Sequence, residues 1–301
     1  MRVPITSLAE YCAEAIIVAH HEDTSQLRDV LASNGFSVSE VRGPYTPDQL
    51  AYSKAVRCLV NHAHAWQRVI DTGRPVIVVE ADFVPVLGFG TLPAPFPVPR
   101  DDSEGRFGWL YSAGSILYGA DAAGFPHGHG NTTVAYVLNP GAALALADFF
   151  ARETEKALPG EYRPWETYLG VYLRWERGVL NYIPTYQYGE HGGLANPEHA
   201  ASGARAWHEA DILWRRLAFL PAYAQGNRLT FRLRRLRGWL RGVARLLTRR
   251  FYNPGDVNPE SRYQRWELAA WSVLRLLKLA PVLRPCRIPP NSESAQQVSK
   301  E

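Results

Sequence analysis

No run of about 18 apolar residues occurs anywhere in the 301-residue chain, so the sequence holds no candidate for a membrane-spanning helix. Cysteine is scarce. Cys12, Cys58 and Cys286 are odd in number and widely spaced, which fits neither a disulfide framework nor a zinc site; the three read as packing residues in a reducing compartment. The first residues are not expected to be a secretory leader: Glu10 and Glu14 precede a short apolar run that ends in histidines, not the basic, apolar, small-residue order of a signal peptide. A cytoplasmic location is the expectation. No internal repeat or low-complexity tract is evident. What is present is a globular composition, 46% hydrophobic and 21% charged, long enough to bury one large core or two modest ones.

Lysine is absent where arginine is dense. Residues 205–250 contain twelve Arg and no Lys against Glu209 and Asp211, so a chain of net charge +4 concentrates its basicity in one stretch and is acidic elsewhere. A local patch needs a local partner.

The first half alternates strand and helix. Ala15–Ala19 is a short apolar run fit for a strand buried on both faces. Asp23 or Thr24 caps a helix to about Ser33, ended by Asn34-Gly35, and Phe36–Val41 is a second strand. A helix from about Asp48 to Thr72 keeps Val56, Leu59, Val60, Ala63, Trp66 and Ile70 in helical period and stops at Gly73. Pro75–Val79 is the most hydrophobic strand candidate, and it runs into Glu80-Ala81-Asp82. This alternation predicts an α/β fold with a mostly parallel, helix-covered sheet, in which ligands bind beyond the carboxyl ends of the strands. Glu80 and Asp82 sit at that edge.

Farther along, residues 87–105 are rich in Pro and Gly and read as a surface loop. Trp109–Tyr118 reads as a strand pair, His127–Asn131 as a glycine-rich turn, Thr133–Leu138 as a strand and Ala142–Glu155 as a helix. A helix over Trp165–Arg177, a strand over Leu180–Ile183 and the polar loop GEHGGLANPEH follow. From Gly226 the character changes. Leu229, Leu233, Leu236, Leu240, Val243 and Leu247 step by three or four among arginines, which predicts a basic amphipathic helix; a second helix spans about Arg262–Leu279. The division expected is an α/β domain over 1–225, a basic helical region over 226–285 and a disordered tail over 286–301.

Two carboxylates one residue apart after a buried strand are costly as a like-charged pair unless a cation or strong donors neutralise them. A divalent cation, Mg²⁺ or Mn²⁺, bridging to a diphosphate is one neutraliser, with Glu80 and Asp82 as its ligands. The plain alternative is a cap for the next segment.

Context separates the two. Residues 52–84, YSKAVRCLVNHAHAWQRVIDTGRPVIVVEADFV, resemble the signature of glycosyltransferase family 25, associated with bacterial lipooligosaccharide synthesis. Its members show a helix with a Gly-Cys-x-x-Ser-His pattern, a Trp four residues on, and an apolar strand closing in Glu-Asp-Asp. Cys58, Asn61, His62 and Trp66 take the helix positions, and Glu80-Ala81-Asp82 the acidic triplet. Looser matches are Thr133–Tyr136 with Gly141-Ala142 and Leu146, Pro164-Trp165-Glu166, and Ile183-Pro184 to Gln187, so the resemblance covers about residues 12–195. Ala81 stands for the middle acid, Asn61 for the Ser, Glu166 for the usual Asp, and His20-His21 for an Arg-bearing stretch.

The resemblance implies a GT-A-like fold and an inverting sugar transfer from a nucleotide-sugar donor to a glycan or lipid-linked acceptor. Inversion needs a general base and a means of stabilising the departing nucleoside diphosphate. Glu166 and Glu190 are the candidate bases, with helix-N-terminal acid as the plainer role for Glu166. His20 and His21, just past the first strand, are candidates to contact the nucleotide. His62 is a packed histidine or a substrate contact, and His191, in a loop whose glycines admit backbone N–H groups to a phosphate, is a further candidate. His127 and His129 resemble half a metal site without partners. For the Arg-rich helix, 228–250, a solvated face is the plain reading and nucleic acid is disfavoured by its apolar side; an anionic membrane surface fits best, placing the enzyme at the inner face of the membrane. The rival to an enzyme is a degenerate transferase-fold binding protein, or an adaptor that uses this helix.

Overall fold

The computed structural model describes residues 6–97, 104–113, 116–121, 123–184, 187–193, 210, 213 and 215–248. The second C-terminal helix, the tail and Cys286 expected from the sequence lie outside them. In chain order the elements are α1 (Leu8–Tyr11), β1 (Glu14–Val18), α2 (Ser25–Ser33), β2 (Ser37–Val41), α3 (Pro47–Leu50), α4 (Lys54–Thr72), β3 (Val76–Glu80) and β4 (Phe83–Pro85). There follow β5 (Arg106–Trp109), β6 (Ile116–Ala120), β7 (Pro126–His129), β8 (Ala135–Leu138), α5 (Pro140–Glu155), α6 (Glu166–Val171), β9 (Leu180–Tyr182), β10 (Gly189–His191) and a last helix, α7 (Arg228–Leu247).

Eight strands form one sheet in the order β2-β1-β3-β8-β5-β9-β7-β6. All run one way except β8 and β7, each of which is antiparallel to both of its neighbours. This is a mostly parallel, helix-flanked α/β sheet, with six of its eight strands running the same way. Residues Val76 to Val79 of β3 are fully buried because alternate side chains serve two cores. Ile77 and Val79 join Ile17, Leu27, Leu31, Phe83 and Phe89 on one face. On the other, Val76 and Val78 join Leu59, Trp66 and Val69 of α4 and Leu146 and Phe149 of α5. Each such side chain contributes about 1.5–3 kcal/mol by leaving water.

Several elements differ from the sequence reading for local reasons. The helix expected over 48–72 is two helices, because Ser53 caps α4 afresh, its side chain accepting from the Val56 N–H at 3.4 Å. The segment after residue 87 is not a surface loop: Phe89, Leu92 and Phe96 are buried, and the Leu8 N–H donates to the Leu92 carbonyl at 2.7 Å. The strands within 106–120 do not pair with each other; β5 lies between β8 and β9, and β6 pairs with β7. His127–Asn131 is not a turn. Gly128 lies within strand β7, where a Cβ would come 2.3 Å from the Ile116 carbonyl oxygen, so its glycine serves close strand approach. The helix from Trp165 is α-helical only through Val171 and widens into a π turn over Tyr172–Glu176. The loop expected from Gly189 opens with β10, which pairs antiparallel with β4 and sets His191 opposite Phe83.

The amphipathic helix α7 does not dock through its apolar face. Its leucines, Leu229, Leu233, Leu236, Leu240 and Leu247, are 54–76% exposed, whereas Gly238 and Gly242 are buried. The docked face is held by arginines. Arg235 pairs with Glu190, Arg245 donates to the Ala113 carbonyl at 2.7 Å, and the Arg234 guanidinium lies 4.6 Å from the Tyr223 ring centre.

Candidate active site

Strands β1 and β3 are neighbours in parallel register, with Val18 opposite Glu80, so the residues that follow each strand meet at one edge. The Ala81 N–H donates to the Val18 carbonyl at 2.9 Å and anchors the turn that carries Asp82. A cavity of about 300 Å³ opens here, lined by His20 and Glu22 after β1, Lys54, Arg57 and Asn61 on the first turns of α4, and Glu80 and Asp82. It lies beyond the carboxyl ends of parallel strands, the usual ligand position in such sheets. Asn61 ties its walls together: Nδ2 donates to the Ala19 carbonyl at 2.9 Å, and Oδ1 accepts from the Gly43 N–H at 3.0 Å.

Glu80 is aimed by a buried chain of hydrogen bonds. Trp66 Nε1 donates to the Tyr136 hydroxyl at 2.7 Å, and that oxygen lies 2.8 Å from His62 Nδ1. The Glu80 carboxylate can only accept, so the His62 proton resides on Nε2, 3.2 Å from Glu80 Oε1, and Nδ1 accepts from the Tyr136 hydroxyl. Thr133 Oγ1 donates to the same Oε1 at 2.8 Å, which leaves Oε2 for the cavity. His62 is fully buried and does not line the cavity; it acts on a ligand only through Glu80.

Asp82 is paired. Its Oδ2 lies 3.0 Å from His191 Nε2, brought there by the β4–β10 ribbon, and Gly192 N–H donates to the Asp82 carbonyl at 2.7 Å. A Cβ on Gly193 would sit 2.2 Å from that Oδ2, so glycine is what permits the loop to close over the carboxylate. Burial alone would pull the His191 pKa down; the charge and hydrogen bond of Asp82, aided by Glu80 and Glu190, overcome this and push it up to about 9. His191 is therefore cationic at neutral pH.

Trp165 fixes the third carboxyl. Its Nε1 donates to the Ala55 carbonyl at 3.0 Å, and its ring meets His62 edge-on at 5.4 Å, seating the start of α6 on α4. Glu166 follows, half-buried, and desolvation, then the charge of Glu80, push its pKa up to about 8.

Glu190 stands apart from these. Side chains alternate along β10, so with His191 turned to Asp82, Glu190 points the other way, fully buried, to Arg235 and to the Ala210 N–H at 2.6 Å. Both of its oxygens are engaged, and the expectation of a base there is replaced by a buried structural ion pair. His20 lines the cavity with Nδ1 3.0 Å from the Tyr45 hydroxyl; burial, then His21 and Arg57, lower its pKa. His21 is exposed and packs on His20 at 4.0 Å between ring centres, outside the lining.

The donor set does not suit a resident divalent cation. Asp82 gives Oδ2 to His191 while its Oδ1 is shielded from solvent, and Glu80 gives Oε1 to His62 and Thr133. Among the described residues, the group with metal-ligand spacing is Cys58, His62 and Glu80. There His62 Nε2 is a donor to Glu80, and desolvation, with nearby carboxylates, pushes the Cys58 thiol pKa well up.

Lys54, Arg57 and Tyr45 were not picked out as site residues from the sequence. The signal for two of them was legible: Lys54, Arg57, Cys58 and Asn61 recur at i, i+3, i+4 and i+7 and so share one face of α4.

No family model matches the chain, and no curated protein does. Among solved structures it is similar to a glycosyltransferase involved in the glycosylation of the major capsid of PBCV-1, at 11% identity and a TM-score of 0.36, over 57% of this chain and 80% of that one.

Proposed function

We propose that the protein is a glycosyltransferase that moves a sugar from a nucleotide-sugar donor to a hydroxyl of a glycan or glycolipid, with inversion. The observation that carries this reading is Glu166, a carboxyl whose pKa is raised to about 8 by desolvation and by the nearby charge of Glu80, which itself lines the cleft. The motif likeness to glycosyltransferase family 25 over residues 52–84 supports it. In the step, the acceptor oxygen attacks the anomeric carbon, its proton passes to Glu166, and the bond from that carbon to the diphosphate breaks. The electron pair leaves on the nucleoside diphosphate. Glu80, aimed by His62 and Thr133, accepts from a donor hydroxyl through Oε2, and His20 lines the nucleotide end.

Membrane association belongs to the same reading. Leu229, Leu233, Leu236 and Leu240 face outward from α7 beside exposed Arg228, Arg232 and Arg237. That pairing suits acyl chains and anionic headgroups together, the surface on which a lipid-linked acceptor resides. Among the described residues no helix is long and apolar enough to cross a membrane.

The test is transfer and donor hydrolysis with a panel of UDP-, GDP- and CMP-sugars. One donor is turned over by the native chain, and Glu166→Gln lowers kcat about 10²–10⁴-fold while donor affinity is kept. An unaltered kcat in that variant, or a panel with no donor bound, overturns the reading.

A further inference from the structure

The cleft has two cations on one wall and no ion-pair partner for one of them. The Arg57 side chain makes no hydrogen bond or ion pair among the described residues; its Nε is buried and the side chain as a whole is half-buried. A guanidinium that lines a cavity with its terminal N–H groups uncommitted offers a planar pair of donors to an anion. Lys54 lies one turn earlier on the same helix face, and both line the cavity. Burial, then His21, lower the His20 pKa, and the charges of Arg57 and Lys54 add to that lowering.

The opposite wall has no need of a metal. A bare Glu80/Asp82 pair would call for one, but Asp82 is neutralised by His191 at 3.0 Å, and Glu80 accepts from His62 and Thr133. A cation entering there would displace these donors and face Arg57 and Lys54 across the cleft. A diphosphate meets the reverse situation, with two positive side chains and a planar fork of N–H donors.

We propose that Arg57 and Lys54, in place of a divalent cation, hold the diphosphate of the donor and stabilise it as the leaving group. This rests on the donor reading above but adds a distinct claim, that diphosphate binding is metal-independent and seated on the first turns of α4. The family motif does not supply it, since Arg57 stands where that pattern has Gly and Lys54 lies outside the pattern.

Calorimetry on metal-stripped full-length protein in EDTA tests it, with inorganic pyrophosphate and with UDP and GDP as separate probes. Pyrophosphate is expected to bind equally, within about twofold, in EDTA and in Mn²⁺. Arg57→Gln and Lys54→Gln are each expected to weaken it about 10–100-fold at unchanged melting temperature. Binding that appears only with Mn²⁺, or an Arg57→Gln chain that binds as tightly as the native one, overturns the proposal. If pyrophosphate binds through Arg57 but no nucleotide sugar binds, the anion seat stands and the donor reading fails. If nucleotide sugars bind only with Mn²⁺, the donor reading stands and the anion seat fails.

Discussion

His191 Nε2 lies 3.0 Å from Asp82 Oδ2, an ion pair made between a strand end that the main sheet positions and a ribbon that returns more than a hundred residues later. It converts what reads in sequence as a bare acidic motif into a neutral pair.

That pair sets a pH dependence of stability. The folded His191 pKa is raised to about 9, above its unfolded value, so its contribution is fully present below about pH 6.5 and is lost as pH rises through 9. The melting temperature of the native chain is expected to fall across that window. His191→Gln starts about 1–3 kcal/mol lower at pH 7 and lacks this part of the slope. Parallel melting curves for the two chains between pH 6 and 10 would count against the assignment.

Glu166 sets the pH dependence of transfer. It is protonated below about pH 8, so kcat/KM is expected to rise with pH and level off above a pKa near 8, measured on the donor identified by the panel. An ordinary carboxylate limb near pH 4.5 would exclude it as the base.

Tyr136→Phe strands two buried groups at once, the Trp66 indole N–H and His62 Nδ1. A loss of about 2–4 kcal/mol in urea unfolding is expected, with weaker donor binding because Glu80 is no longer held by a fixed tautomer. Unchanged stability and donor affinity in Tyr136→Phe would contradict the chain.

Arg235→Met leaves Glu190 buried without its cation and is expected to destabilise by about 3–5 kcal/mol, whereas Arg235→Met with Glu190→Gln recovers part of the loss. Donor turnover per folded molecule is expected to be unchanged in the double variant. A large fall in kcat there would return Glu190 to catalysis.

Replacing Leu233, Leu236 and Leu240 together with Ser is expected to abolish flotation with anionic vesicles without lowering the melting temperature, because these side chains are exposed. A drop of several degrees would mean that they pack against the protein.

Much of the scaffold was legible in the sequence. The apolar runs that became β1 and β3, the period of α4, Asn139 capping α5 and the acidic residues after β3 are all local signals, since each arises from residues within a few positions of one another. The Cys58–Trp66 block lies on α4, whose first turns line the cavity. Charge and exposure at the site were not local. Glu190 and His191 are adjacent, yet strand alternation sends one into a buried pair with Arg235 and the other to Asp82. Arg57 became a candidate only when the carboxylates across the cleft proved to be occupied by other partners. In α7 the sequence determined a two-faced helix, but Gly238 and Gly242 let its arginine face close on the protein and turned the leucines outward. Pattern within an element is set by the residues along it; which face is buried, and which charge finds a partner, depends on what the rest of the chain brings to it.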